Sequence, residues 1–156
     1  MPQPMTGKQR TLAAFALKEA DHVPVSPDIS AMVPVRLSRR PFDEMFLDGK
    51  PHSGYASASV AQAYVDAVRY YGMDGWYIYG SLPEIVPEDR PRWQERLVRE
   101  RHGGQTLYES AQTPYGEISR VKYFPIDQPP WEMEKPIKDL KRDWPQLRAM
   151  LGENED

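Results

Sequence analysis

Apolar side chains recur at helical spacing near both ends of the chain. The first stretch follows a capping box at residues 6–9 (TGKQ). Its apolar positions are Leu12, Ala13, Ala16 and Leu17. Those of the last stretch are Ile137, Leu140, Trp144, Leu147 and Leu151. Spacings of three and four predict amphipathic helices. The first should end near Ala20, and the last should be split by Pro145 and capped by Asp143.

The stretch at residues 59–80 (SVAQAYVDAVRYYGMDGWYIYG) combines a helical pattern with a buried strand. Ser59 is the predicted N-cap, and apolar residues follow at helical spacing up to Tyr71. Gly72 is suited to close this helix in the left-handed conformation. Residues 76–79 (WYIY) are apolar on both faces, which is typical of a parallel strand covered on both sides. The pattern predicts the αβ half of a βαβ repeat.

A first strand and two short helices are predicted ahead of this unit. Residues 23–25 (VPV) indicate the strand, and the neighbouring prolines limit its ladder hydrogen bonds. One helix should begin near Ser30 or Ala31, since Pro34 would then fall in its first turn. A second short helix is predicted at residues 42–47.

Turn signals replace helical spacing in the second half of the chain. Residues 93–112 predict two strands around a turn at residues 102–104 (HGG). Residues 113–116 (TPYG) fit a type I turn, with proline at its second position and glycine at its fourth. Residues 117–124 should form a third antiparallel strand, and residues 125–136 a linker. These features predict an antiparallel β-meander.

Composition narrows the class of protein. The chain has 156 residues, 40% hydrophobic and 28% charged, which suits one globular domain at residues 1–156. The net charge of −3 gives no basis for nucleic-acid binding. No apolar run approaches the ~20 residues that span a membrane. Because the chain has no cysteine and no signal-peptide pattern, we expect a cytoplasmic protein without disulfides or thiolate ligands.

Candidate binding residues follow the two predicted strands, because function gathers at the C-terminal ends of parallel strands. Asp28 lies beyond the first strand, with Ser26 beside it. The second strand ends at Tyr79, and Ser81 and Glu84 follow. The alternative is structural: Asp28 would cap the next helix, and the others would belong to the core or to a loop.

An arginine cluster gives a second candidate. Arg36, Arg39 and Arg40 could clamp a carboxylate or a phosphate, because guanidinium groups suit planar anions. The alternative is a solvated helix end. No glycine-rich nucleotide motif is present. The three histidines, His22, His52 and His102, share no metal-ligand spacing and are interpreted as surface or turn residues.

Three segments resemble the N-terminal part of the uroporphyrinogen decarboxylase superfamily, and its methyltransferase-like branch in particular. They are residues 6–27 (TGKQRTLAAFALKEADHVPVSP), residues 64–80 (YVDAVRYYGMDGWYIYG) and residues 113–143 (TPYGEISRVKYFPIDQPPWEMEKPIKDLKRD). The resemblance implies a (β/α)8 barrel with its active site at the C-terminal strand ends. The expected fold class is therefore α/β: a partial TIM-barrel-like fold of N-terminal βα units with the antiparallel meander as an insertion.

Two departures from that family limit the chemistry that the resemblance implies. A complete barrel needs about 250 residues, and this chain has 156. Related methyltransferases bind zinc through a His-x-Cys motif and a later cysteine, and this chain has no cysteine. Related decarboxylases carry an arginine-rich RQAGR segment after the first strand and an aspartate beyond the second. In this chain the residue at the position of that aspartate is Ser81, which disfavours decarboxylation.

The expected function is therefore the N-terminal portion of a corrinoid-linked methyltransferase, truncated and inactive as an isolated chain. Asp28, Arg36, Tyr79, Ser81 and Glu84 would contact a small-molecule substrate. Zinc and a corrinoid would belong to a full-length relative, and this chain would hold no cofactor. The expected partners are a corrinoid protein or a complementary chain, and exposed sheet edges predict self-association. The alternatives are a non-catalytic binding or assembly module and a small enzyme that uses the carboxylates of Asp28 and Glu84.

Overall fold

A computed structural model describes residues 4–49, 57–75 and 91–152. The chain divides into two compact units, Met1–Ser81 and Leu82–Asp156. In the described ranges the first unit contains helices only, and the second contains an antiparallel sheet and one helix. The described structure therefore belongs to the α+β class.

Four helices make up the described part of the first unit, and local signals explain most of their ends. They are α1 (Gly7–Phe15), α2 (Met32–Ser38), α3 (Phe42–Phe46) and α4 (Ala58–Tyr71). Thr6 and Gln9 form the predicted capping box of α1. Gly72 closes α4 with φ 65°, as predicted. The N-cap of α4 is Ser57 and not Ser59, because Ser57 Oγ also donates to the carbonyl of Met45 at 2.6 Å.

The core of this unit lies where α4 packs against α2 and α3. Its fully buried side chains are Val35, Phe46, Val60 and Ala67. Each large apolar side chain removed from water stabilises the fold by about 2 kcal/mol. The apolar stripe predicted for α4 is thus confirmed at Val60 and wrong at Tyr71, whose side chain is 54% exposed.

Helix α1 ends five residues earlier than predicted. Leu17 takes a left-handed conformation with φ 53°. Its amide donates to the carbonyl of Ala14, and the amide of Lys18 donates to that of Ala13. This is a Schellman closure, which normally has glycine at the position of Leu17. The chain beyond it is irregular up to α2, so residues 23–25 form no strand.

The second unit contains one four-stranded antiparallel sheet. Its strands are β1 (Gln94–Arg99), β2 (Gln105–Thr113), β3 (Gly116–Phe124) and β4 (Trp131–Glu134), paired in sequence order. Both predicted hairpins and the third strand are confirmed. The fourth strand lies in the predicted linker and pairs with the end of β3 beyond a bulge between Val121 and Lys122. The meander is therefore one strand larger than the sequence indicates.

Helix α5 (Leu140–Leu151) packs against β3 and β2. Its N-cap is Asp139, which accepts from the amide of Arg142 at 2.9 Å. Asp143 was the predicted cap, but it lies inside the helix and accepts from the amides of Lys138 and Asp139, each at 2.8 Å. These bonds extend the helix one turn towards the N-terminus, so Pro145 lies within it and does not split it.

The prediction of a partial (β/α)8 barrel is wrong. All strands in the described ranges are antiparallel and joined by short connections, whereas parallel strands need a long crossover. Residues 23–25 do not supply a first strand, because Pro24 cannot donate to a ladder. The predicted second strand, at residues 76–79, lies outside the described residues.

Candidate functional site

Of the five predicted substrate-binding residues, the structure describes Asp28 and Arg36. Tyr79, Ser81 and Glu84 lie outside the described residues. Asp28 is exposed and accepts from the amide of Ser30 at 3.0 Å, but it does not cap the next helix, since the N-cap of α2 is Ala31.

The arginine cluster lies around the end of α2. Arg36 is exposed in the last turn, and Arg39 ends the helix in the left-handed conformation with φ 58°. Arg40 donates through Nη1 to Ser59 Oγ at 3.0 Å. Arg40 thus links the connection between α2 and α3 to the first turn of α4.

A partly buried network around Arg10 joins the first and second segments of the family resemblance. Arg10 donates to Asp21 twice, from Nε to Oδ1 at 2.6 Å and from Nη2 to Oδ2 at 2.9 Å. Nη2 also donates to the carbonyl of Met5 at 2.8 Å, and Nη1 donates to Asp74 Oδ1. The guanidinium therefore connects α1 to the loop before residue 23 and to the turn after α4.

Asp74 completes this network through the backbone. Its amide donates to the carbonyl of Val25, and its Oδ2 accepts from the Val25 amide, both at 2.8 Å. Gly7 makes the approach possible, because a Cβ there would lie 2.7 Å from the carbonyl oxygen of Asp74. The residues of two distant segments are thus held in one place by paired polar contacts.

The network fixes the charge of both carboxylates. Hydrogen bonds from Arg10, and from the amides of Met5 and His22, hold the pKa of Asp21 well below its ordinary value. The Val25 amide, followed by the charge of Arg10, lowers the pKa of Asp74. Both groups are therefore ionised acceptors at neutral pH, which suits a structural cross-link and not proton transfer.

The sequence carries one signal for this network, the position of Arg10. Arg10 precedes Ala13 and Leu17 by three and seven residues, so it lies on the apolar face of the predicted helix. An arginine at such a position is buried with carboxylate partners or not at all. Which carboxylates those are cannot be read from local pattern.

A second buried ion pair lies on one face of the sheet. The register places Glu109 opposite Arg120, and the two side chains form two hydrogen bonds of 2.8 Å. Lys122 Nζ lies 3.1 Å from the same carboxylate, whose side chain is only 1% exposed. Arg120 also stacks on the Trp93 ring, with Cζ 4.3 Å from its centroid. A carboxylate between Leu107 and Ala111 on an apolar face was the sequence signal for it.

The opposite face of the sheet carries a cavity of about 540 Å³, which we call the aromatic trough. Its rings are Tyr108, Tyr123 and Trp131, from three successive strands. Tyr123 and Trp131 are a cross-strand pair in edge-to-face contact, with centroids 5.1 Å apart. Its carboxylates are Glu100 and Glu134. No residue of the trough was singled out as a site by sequence, although the alternation of β2 predicts which side chains share this face.

The zinc site implied by the family resemblance does not fit this chain. The chain has no cysteine, and in the described ranges no three His, Asp or Glu side chains are grouped to hold a metal ion. None of the helices described is both long and apolar enough to cross a bilayer.

Comparison with known proteins found no matching family model, no matching curated protein and no matching solved structure. The resemblance to the uroporphyrinogen decarboxylase superfamily thus rests on the three sequence segments alone.

Proposed function

We propose that this chain is a portion of a corrinoid-linked methyltransferase related to the uroporphyrinogen decarboxylase superfamily, and that it is inactive alone. It would contribute part of a substrate pocket, with Asp28, Arg36, Tyr79, Ser81 and Glu84 as contacts to a small molecule. A cytoplasmic location is part of the proposal. The barrel architecture is not.

One observation supports this proposal above the others. Arg10, Asp21 and Asp74 come from two of the three segments that carry the resemblance, and they meet in one partly buried network. The first segment ends at residue 27 and the second begins 37 positions later, at residue 64. Segments that resemble one family and also depend on each other for charge pairing are expected to have been retained together.

The missing chemistry defines the partner. A thiol acceptor in the related methyltransferases is activated by zinc on thiolate ligands, and this chain contains no cysteine. We therefore propose that a complementary chain supplies the metal ligands and that a separate corrinoid protein supplies the methyl group. No step of the transfer is assigned to residues of this chain.

The test is a methyl-transfer assay with the full chain, alone and with two additions. These are a corrinoid protein and the product encoded directly downstream of this chain. We expect no turnover by the chain alone and turnover when both are added, with complex formation visible by sedimentation velocity. Methyl transfer by the chain alone, or no association with either protein, would overturn the proposal.

The alternative is a non-catalytic assembly module that pairs with a second copy or another chain. Its specific support is the exposure of large apolar side chains at the end of α1 and in the loop that follows. Phe15 is 81% exposed, Leu17 96% and Val23 82%. Exposed apolar side chains in one short stretch favour a protein–protein contact. Substituting Phe15 and Val23 with serine should then abolish the self-association that sedimentation velocity measures. If the unsubstituted chain is already monomeric and binds no other chain, this function is excluded.

A further inference from the structure

The aromatic trough lies on one face of the sheet and crosses strands β2, β3 and β4. Its floor is built from side chains that alternate towards one face, with Thr106 and Tyr108 on β2 and Val121 and Tyr123 on β3. Trp131 and Met133 of β4 extend it, and these two side chains are 45% and 60% exposed. At about 540 Å³ the cavity lies within the range of small-molecule sites.

The charges that line the trough are both negative. Glu100 is fixed there, because Thr106 Oγ1 donates to its Oε1 at 2.6 Å. Glu134 lies opposite Val121 in the sheet register. Lys138 reaches Glu134 at 3.1 Å, but both side chains are about half exposed, so water screens this pair and it stabilises little. No lysine or arginine is among the described residues that line the trough, but the cation of Arg96 lies over its Tyr108 ring.

Aromatic faces and carboxylates together attract organic cations. Ring faces carry partial negative charge, and tryptophan gives the strongest cation–π interaction of the side chains. The same face of the sheet already shows this interaction, since Arg96 lies over the ring of Tyr108 with Cζ 4.4 Å from the centroid. A quaternary ammonium suits the trough better than a primary amine, because it has no N–H group and so gives up no donated hydrogen bonds on leaving water.

We propose that the aromatic trough binds a small organic cation with a quaternary or methylated ammonium head, with Trp131 and Tyr123 against the head and Glu100 and Glu134 as counter-charges. The inference goes beyond the proposed function and does not depend on it. The occupant is a free small molecule, because the volume suits one and a protein partner would need about 800 Å² of surface from each side.

The test compares choline with its uncharged carbon isostere, in which a tert-butyl group replaces the trimethylammonium group. Both are titrated into the full chain and followed by calorimetry at fixed ionic strength. We expect saturable choline binding that is at least about tenfold tighter than binding of the isostere. Equal binding of the two would show a merely apolar groove, and no binding of choline would refute the site altogether.

Variants locate the site. Trp131→Ala should weaken choline binding about tenfold or more, and Trp131→Phe should keep part of the affinity while leaving the fold intact. The matched control is Trp144→Ala, a tryptophan equally exposed at 45% but on α5 and outside the trough. Glu100→Gln with Glu134→Gln should reduce the preference for choline over the isostere. An effect of Trp144→Ala as large as that of Trp131→Ala would place binding elsewhere and overturn the proposal.

A last arm fixes the source of the cation. A short peptide that carries trimethyllysine is titrated beside choline. Binding of the peptide that is tighter than binding of choline, and that depends on residues flanking its trimethyllysine, would replace the small molecule with a modified protein.

Discussion

Arg10 holds Asp21 through two near-parallel hydrogen bonds, from Nε to Oδ1 at 2.6 Å and from Nη2 to Oδ2 at 2.9 Å. A bidentate pair of this kind fixes both position and orientation. Because Arg10 also donates to Asp74, one guanidinium decides how α1 meets the turn after α4. A change at this side chain is therefore expected to loosen three segments of the first unit at once.

Replacing Arg10 with methionine should lower the thermal midpoint of unfolding by about 5 °C or more. The reason is that Asp21 and Asp74 would both lose the guanidinium that pairs with them. The control is Arg69→Met, since Arg69 lies on α4 and its side chain, which is 74% exposed, pairs with the exposed Asp66 at 3.9 Å. Calorimetric scans of both variants check this. A similar midpoint in the two would contradict the structural role assigned to Arg10.

The stability of the chain should fall in acid in a way that depends on Asp21. Its folded-state pKa is lowered by Arg10, so its contribution is fully present above the ordinary aspartate pKa of about 3.9 and is lost as pH falls through the folded-state value. Urea unfolding of the wild type and Asp21→Asn between pH 7 and pH 3 measures this. The difference in free energy of unfolding should be constant from pH 7 to about pH 5 and shrink below that. A difference that does not change with pH would argue against a charge effect.

Gly7→Ala should destabilise the chain by about 1–3 kcal/mol. Its Cβ would lie 2.7 Å from the carbonyl oxygen of Asp74, a backbone atom that cannot move away alone. The matched control is Gly75→Ala, where the nearest contact of the new Cβ is Ser26 Oγ at 3.8 Å. Denaturant titrations give both values. Equal effects would mean that α1 does not approach Asp74 as closely as described.

Leu17→Gly should stabilise the chain by about 0.5–1 kcal/mol, because leucine is strained at φ 53° and its side chain is almost fully exposed. Leu12→Gly within α1 should do the opposite by about 1 kcal/mol, since glycine disfavours a helix interior. Chemical denaturation at fixed pH checks the sign of each change. A loss of stability in both variants would exclude the Schellman closure.

Glu109→Gln should cost about 2 kcal/mol of stability, because it leaves Arg120 and Lys122 without their shared, buried counter-charge. Glu117→Gln is the control on β3, where the carboxylate is exposed, and its effect should stay within about 0.5 kcal/mol. Urea unfolding measures both variants, and a lower midpoint with an unchanged dependence of the free energy of unfolding on urea concentration shows a loss of stability. Equal midpoints for the two variants would contradict the burial of Glu109.

Some features were determined by the sequence because each depends on neighbouring residues only. The capping box at residues 6–9, the αL closure at Gly72 and the two hairpin turns of the meander follow from local backbone geometry and local hydrogen bonds. The short helix α3 and the position of Pro34 in the first turn of α2 belong to the same class.

Other features were decided by the tertiary structure, because they depend on partners distant in the chain. Ser57 is the N-cap of α4, and its hydroxyl also donates to the carbonyl of Met45. Asp143 accepts from the amides of Lys138 and Asp139, so α5 begins before Pro145 and includes it. Arg10 pairs with Asp21 and Asp74, and local sequence pattern does not distinguish these two from the other acidic residues among the 23 in the chain. The fold class failed for the same reason, since apolar runs indicate that a strand is buried but not which strand it pairs with or in which direction.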